Sequence, residues 1–427
     1  MASAASSIGT AILPVNPWMM LPFAILLLTI ALAPLLRRSW WERYYPWVSF
    51  SLGLLVCAYY ILLPDSHRLL DTFAEYFSFI VLIGSLFVAS GGIYLHTERH
   101  ATPWMNTMLL ALGALAANIL GTTGASVLFI RPFLRINRPR VRGFHVVFFI
   151  FIVSNLGGAL TPIGDPPLFL GYLNGVPFQW TLLNVWHIWL LALVLILAAF
   201  FLLDSHSYRQ WREEKHRRVR EAGFELRGSR NFFFLFIILL AVFAATPVRE
   251  IIMITAAGAA YRFADKEALR ANEFTFTPIK EVAILFAGIF ATMVPALDWL
   301  SSNADRIGLR TPGGYYWASG ILSSFLDNAP TYLTFLSAAM GLHHLTLGEP
   351  GHMNILISQH AGFLRAISVA AVFFGASTYI GNGPNFMVKS IAEHAGVKCP
   401  TFLGYIFRYS LPVLIPVFLL LWYLFFR

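Results

Sequence analysis

Cysteine is almost absent from this chain: there are two in 427 residues, Cys57 and Cys399, each in or beside an apolar run. Two thiols so placed build neither a disulfide framework nor a metal cage. Charge is scarce too. Asp, Glu, Lys and Arg make up 12% of the chain, against about 25% in an ordinary soluble domain, and no hydrophilic stretch is long enough to fold as one. The first 36 residues hold no Lys or Arg, so the basic n-region of a secretory signal peptide is missing. No GxxxxGK[ST] loop occurs, and a primary ATP-driven pump would therefore need a separate subunit.

What the chain has is apolar surface. It is 58% hydrophobic with a mean hydropathy of +0.67. Several apolar runs reach roughly 20 residues, the length that crosses a hydrocarbon core about 30 Å thick. The runs are continuous rather than alternating, which argues against a β-barrel. The net charge of +9 does not point to nucleic acid, because the basic residues gather in loops between spans, where they orient a membrane protein. The aromatic residues, 15% of the chain, suit interfacial belts and lipid-facing surface. The expected class is an all-α polytopic membrane protein whose constant partner is the lipid bilayer, with a bacterial inner membrane as its expected location.

The reading places spans at 17–36, 45–63, 77–96, 185–203, 231–247, 249–263, 281–300 and 402–426. Broken spans are expected at 144–174 and 364–390, and interrupted apolar segments at 104–130 and 314–341. Arg37, Arg38 and Arg43, the cluster Arg131 to Arg142, and the basic loop 204–230 should face the cytoplasm by the positive-inside rule. Loops 64–76 and 301–313 should face outward. These assignments agree only if 104–130 enters and leaves on one side as a re-entrant hairpin, with 314–341 a hairpin from the opposite face. The expected count is ten spans and two hairpins, with both chain ends outside.

An internal repeat supports this layout. Gly84 matches Gly288, Phe129 matches Phe335, and Gly158, Thr161, Ile163, Gly164, Pro167 and Phe169 match Gly375, Thr378, Ile380, Gly381, Pro384 and Phe386. The offset grows from 204 to 206 to 217 along the half, placing an insertion near 342–353. The first half, 1–203, starts outside and the second, 231–427, inside, so the repeats are expected to be inverted, joined by the loop 204–230. Paired broken spans in two halves are the best sequence-level pointer to a transporter's binding site.

Each broken span carries helix breakers and polar groups at mid-span. Non-helical backbone at that depth is tolerated only inside protein or along a wet cavity. Gly164 and Gly381 allow close backbone approach, while Pro162, Pro166, Pro167 and Pro384 keep the helices open. Thr161, Ser377 and Thr378 offer hydroxyl oxygens suited to a small hard cation. Asp165 is the sharpest residue, since an intramembrane carboxylate is by default a functional hypothesis; the alternative is that it caps the following half-helix. Its counterpart is Asn382, of the same shape without the charge. Asp327, Asn328 and Thr331 form the tip of the second hairpin, opposite Gly121, Thr122 and Thr123 of the first. Asn155 and Asn385 complete the candidate set, and Asp165 and Asp327 are the acids that could hold Na⁺. Glu281 is balanced between structural pairing and function. His343, His344, His352 and His360 crowd one loop without tight metal-ligand spacing, so solvated histidines are expected there.

The run Gly157 to Pro167, the segment Leu326-Asp327-Asn328-Ala329-Pro330-Thr331 and the stretch Phe77 to Gly92 resemble the ion transporter superfamily. The nearest branch is similar to NhaD-type sodium/proton antiporters, arsenite permeases and citrate-transporter-like proteins. The resemblance covers nearly the whole chain, and it implies scaffold and transport domains, hairpin tips and broken helices around a substrate, homodimers and elevator-like alternating access. Two departures matter: Gly121-Thr122 stands where family members often carry Asp-Asn-like residues, and neither tip has the Ser-Asn-Thr triplet of the dicarboxylate branch. The expected function is secondary transport, foremost Na⁺/H⁺ antiport on Asp165 and Asp327, with an ion-coupled permease for citrate, dicarboxylate or arsenite as the alternative. No cofactor beyond Na⁺ or H⁺ is expected. An intramembrane enzyme is disfavoured, because no His lies near either break.

Overall fold

The computed structural model describes residues 16–62, 67–97, 101–138, 140–215 and 224–427. Arg217, Arg218 and Arg220 of the basic loop, the first fifteen residues and part of the loop expected at 64–76 lie outside the described residues. In chain order the elements are α1 (Leu21–Leu36), α2 (Arg38–Ile61), α3 (His67–Gly91), β1 (Tyr94–Thr97), α4 (Pro103–Ile136), α5 (Gly143–Ile152), α6 (Pro166–Leu173), α7 (Trp180–Lys215), β2 (Phe224–Arg227), α8 (Arg230–Ala241) and α9 (Val248–Arg262). There follow α10 (Lys266–Ala271), α11 (Thr277–Ile307), α12 (Pro312–Ser323), α13 (Asn328–Leu342), α14 (His352–Gln359), α15 (Ala361–Phe374), α16 (Gly383–His394), α17 (Phe402–Tyr405) and α18 (Ile415–Phe425).

The protein is a polytopic helical membrane protein. Among the described residues six segments are long and apolar enough to cross a bilayer: α2, α3, α4, α7, α11 and Phe402–Phe425. A seventh arises if α14 and the helix after it, bent by 93°, count as one span. Three segments expected to span are shorter. α1 has 16 residues, α8 has 12 and α9 has 15, which at 1.5 Å per residue is about 24, 18 and 22 Å. Helix α7 runs on to Lys215, so residues 204–215, expected as loop, are helical.

One departure from an all-α fold is small. β1 and β2 pair antiparallel, Tyr94 opposite Arg227 and Thr97 opposite Phe224. Phe224-Glu225-Leu226-Arg227 alternates apolar and polar residues, the period of a strand, and the ladder ties the end of α3 to the start of α8.

Helix α4 is the expected re-entrant hairpin. Gly121 sits inside it at φ 74°, ψ 155°, a conformation that glycine alone adopts without steric cost. The two arms fold back until Asn106 and Asn137 exchange amide hydrogen bonds at 2.7 and 2.8 Å. In a straight helix those residues would be about 46 Å apart. The closed ends are anchored on α7: Asp204, fully buried, accepts from Arg140, from Asn106 Nδ2 at 2.8 Å and pairs with His145 Nε2 at 3.0 Å. Helices α12 and α13 form the second hairpin, turning at Phe325–Asp327.

The broken spans also fall where expected. The first is α5, a 3₁₀ turn Leu156–Gly158, an irregular stretch and α6; the second is α15, a 3₁₀ turn Gly375–Ser377, an irregular stretch and α16. The final span is widened by a π-helical stretch, Ile406–Leu414, containing Pro412, whose missing N–H cannot close an ordinary helical turn. Tyr405 and Ser410 of this span donate to the carbonyls of Ala376 and Ser377, at 2.8 Å each, bracing the second break.

Candidate functional site

The two breaks are built alike. In the first, Gly158 and Gly164 cross so closely that a Cβ on Gly158 would meet the Gly164 carbonyl oxygen at 2.5 Å. In the second, a Cβ on Gly381 would meet the Gly375 oxygen at 2.6 Å. Thr161 Oγ1 donates to the Asn118 carbonyl of the first hairpin at 2.6 Å and accepts from Gly164 N at 3.1 Å. Thr378 Oγ1 repeats both bonds, donating to the Ser324 carbonyl of the second hairpin at 2.5 Å and accepting from Gly381 N at 3.1 Å. Each threonine therefore welds its break to the hairpin tip of its own half. Both hydroxyls donate to a hairpin carbonyl and accept from a backbone amide of their break, which leaves Thr161 Oγ1 one lone pair.

Asp165 and Asn382 occupy the same position, the residue before α6 and α16, with nearly the same extended backbone: φ −144°, ψ 142° and φ −152°, ψ 141°. Neither side chain caps its helix, so the capping alternative for Asp165 does not describe this geometry. Its carboxylate, 1% exposed, turns instead toward the hairpin tips. Thr122 Oγ1 donates to Oδ1 at 2.7 Å, Asn328 Nδ2 donates to Oδ2, and Asn382 Nδ2 donates to Oδ1 at 3.4 Å. Hydrogen bonds to a charged group contribute about 1.5–3 kcal/mol each. Three of them are comparable with the several kcal/mol that burying one ion costs.

Thr122 and Asn328 are themselves counterparts, 206 residues apart, the offset of the hairpin match. One acid is thus held by the tips of both hairpins and by the opposite break. Asp327 is placed differently: its Oδ1 accepts from Ala329 N at 3.2 Å and caps α13, and Thr331 Oγ1 donates to its carbonyl at 3.0 Å. It is Asn328, not Asp327, that reaches Asp165. Asn155 and Asn385 link the two breaks, Asn155 Nδ2 donating to Asn385 Oδ1 at 2.7 Å and Asn382 Nδ2 to Asn155 Oδ1 at 3.2 Å. Two buried polar atoms here lack a partner among the described residues, Asn328 Oδ1 and Ser377 Oγ. Natives carry few such atoms, and each calls for an explanation.

A small apolar-walled cavity lies next to the first break, lined by Gly164 and Pro166 on either side of Asp165 but not by Asp165 itself. Its floor is the first tip, Leu120 to Gly124, with Pro162 to Gly164, Pro166 and Phe169 of the break; its wall is α3, from Phe79 to Phe87. Thr122, Thr123, Gly164 and Pro166 line it, whereas Thr331, Thr378 and Asn385 do not. Glu281 is exposed on α11 and lies off the cavity. His343 and His360 stack with centroids 3.5 Å apart, and no group of three His, Cys, Asp or Glu among the described residues could hold a metal.

Sequence reasoning passed over the part that four residues play. Ser324 and Asn118 present carbonyls to the break threonines, a role no side-chain pattern signals. Arg249 and Glu250 open the span expected at 249–263 and carry no functional reading there, yet both are buried, and Arg249 Cζ lies 5.9 Å over the ring of Phe169.

The chain resembles known proteins over most of its length. Over 323 residues, 70% of this chain and 72% of the relative, it is 24% identical to uncharacterized transporter Rv2685 of Mycobacterium tuberculosis (strain ATCC 25618 / H37Rv). The same figures hold for uncharacterized transporter MT2759 of strain CDC 1551 / Oshkosh. Both relatives are named as transporters. The profile of the family described as putative citrate transport matches residues 13–426, nearly the whole length, and the chain belongs to that family.

Proposed function

We propose that this protein is a secondary active transporter that couples a cation, Na⁺ or H⁺, at Asp165 to the movement of a small carboxylate anion of the citrate class by alternating access. The observation that carries the coupling role is the convergence of both hairpin tips and the opposite break on one buried acid. The carboxylate cargo rests on the family described as putative citrate transport.

The chemistry follows from the donors. An ionised Asp165 accepts three hydrogen bonds. When it takes a proton, one oxygen becomes a donor and needs an acceptor. Asn328 Oδ1 receives no donor among the described residues, so reversing that amide lets Asp165 O–H donate to it. A sodium ion is served by the same two oxygens. The loading of Asp165 is thereby read by the second hairpin tip and, through Asn382, by the second break. Elevator-like movement of a transport domain in a homodimer belongs to the same reading, as does a bacterial inner membrane.

A second reading keeps Asp165 but makes the cation the cargo, as Na⁺/H⁺ antiport. It is favoured by the side chains that touch Asp165, which are a hydroxyl and two amides with no cationic group. Proteoliposomes decide. With imposed Na⁺ or H⁺ gradients, the wild type should accumulate citrate or a shorter di-carboxylate, and Asp165→Asn should not. Cation-driven proton flux without any carboxylate movement would select the antiport reading, and full activity of Asp165→Asn would remove Asp165 from either.

A further inference from the structure

Helices α8 and α9 form a short hairpin. It starts at Arg230 and ends at Arg262, and its arms of about 18 and 22 Å fall short of the roughly 30 Å hydrocarbon core. Its turn consequently stops inside the membrane, against the second half of the first broken span. Tyr172 Oη donates to the Val242 carbonyl at 3.1 Å, the rings of Phe178 and Phe243 lie 4.7 Å apart, and Arg249 sits over Phe169.

Arg249 and Glu250, 7% and 3% exposed, are the charges this turn carries to that depth. Arg249 Nε donates to Glu250 Oε1 at 2.9 Å, and Nη2 donates to Thr246 Oγ1 at 2.8 Å and Ser78 Oγ at 3.2 Å. Ser78 Oγ in turn donates to Glu250 Oε1 at 2.6 Å. None of these bonds uses Nη1, and Glu250 Oε2 is buried with no partner among the described residues. An intramembrane ion pair is costly to keep and marks a substrate or ion path by default. One left half-satisfied has room for a further partner.

One ring, that of Phe169, neighbours both this pair and the cavity. Phe169 stands one helical turn after Asp165, its amide donating to the Asp165 carbonyl at 3.4 Å. One side of Phe169 borders the cavity, and the guanidinium lies over its face. Ser78, which holds both Arg249 and Glu250, adjoins Phe79 on the cavity wall. A change of the Phe169 rotamer would turn the Nη1 edge toward the cavity.

We propose that Arg249 is a specificity-determining residue for an anionic cargo, its Nη1 edge receiving one carboxylate of a di- or tricarboxylate beside Asp165, with Phe169 as the shutter and Glu250 as the counter-ion that holds the guanidinium between turnovers. This rests on the carboxylate reading of the cargo. With Nε and Nη2 already held by Glu250, Thr246 and Ser78, the planar guanidinium presents Nη1 in a fixed direction, which a flexible ammonium does not.

The test is citrate uptake by the full-length chain in liposomes, with initial rates across concentration. Arg249→Met should raise the KM for citrate about tenfold or more, with a smaller change in the maximal rate, and Arg249→Lys should fall between. Glu250→Gln should act in the opposite direction and lower the KM, because it removes the competing carboxylate while keeping the shape. An unchanged KM in Arg249→Met and Arg249→Lys, with only thermal stability reduced, would overturn the proposal and leave the carboxylate reading standing. If Arg249→Met does not fold, a KM for Arg249→Lys and Glu250→Gln equal to wild type overturns it equally. A wild type that moves no carboxylate sinks the cargo reading and this inference with it.

Discussion

Thr122 and Asn328, 206 positions apart, donate to the two different oxygens of one carboxylate, that of Asp165. Each comes from the tip of a different hairpin, so neither tip can shift without the acid registering it.

Removing either donor should weaken coupled transport. Thr122→Val and Asn328→Ala each take away a hydrogen bond to a charged group, a loss of about 1.5–3 kcal/mol or roughly tenfold to a hundredfold in flux at sub-saturating ion. Because they share an acceptor, the double variant should deviate from additivity by about 0.5–3 kcal/mol. Strictly additive effects in a double-mutant cycle would mean that the two tips do not act through Asp165.

The glycine crossings should be intolerant of a methyl group. Gly158→Ala and Gly381→Ala place a Cβ 2.5 and 2.6 Å from backbone oxygens, and overpacking of that kind costs about 1–3 kcal/mol. Thermal unfolding in detergent should show both melting earlier. Gly383→Ala, where nothing lies within 4 Å, should stay within about 0.5 kcal/mol of wild type.

The anchor of the first hairpin on α7 should be a stability site. Asp204→Asn leaves Arg140 buried beside a neutral amide, and breaking a buried pair by removing one partner costs about 3–5 kcal/mol. His145→Gln keeps the Arg140–Asp204 pair and should cost less. Equal Tm values for Asp204→Asn and wild type would show that the pair contributes nothing net.

Stability should also depend on pH through the stacked histidines that follow the second hairpin. Burial, then the neighbouring His360 and His344, hold the His343 imidazole below its ordinary value of 6.5. The folded protein thus binds fewer protons there than the unfolded chain, so stability is complete above about pH 6.5 and falls as pH drops toward the depressed folded value. His343→Gln should flatten the fall of Tm between about pH 7 and 5. A slope unchanged by that substitution would assign the dependence elsewhere.

Much of this molecule is legible in its sequence. Long apolar runs dictate membrane helices because unpaired backbone is not tolerated in lipid. The Gly/Pro-rich segments mark the breaks, since Pro removes a donor and Gly yields at little steric cost. Gly121 marks the first hairpin tip for the same reason. Asp165 stands out because a charge in that setting demands a purpose. These are local properties, carried by residue type and spacing.

Only the tertiary structure decided which groups meet. That Asn328 rather than Asp327 reaches Asp165, that Thr161 and Thr378 bind hairpin carbonyls, and that Arg249 lies over Phe169 are contacts across 163, 43, 54 and 80 positions. Such contacts depend on how helices turn about their axes and how deep a short hairpin reaches. A one-residue rotation of about 100° exchanges Asp327 for Asn328 at the tip. Hydropathy cannot resolve that, because both residues are polar and adjacent, and only packing against the opposite break selects between them.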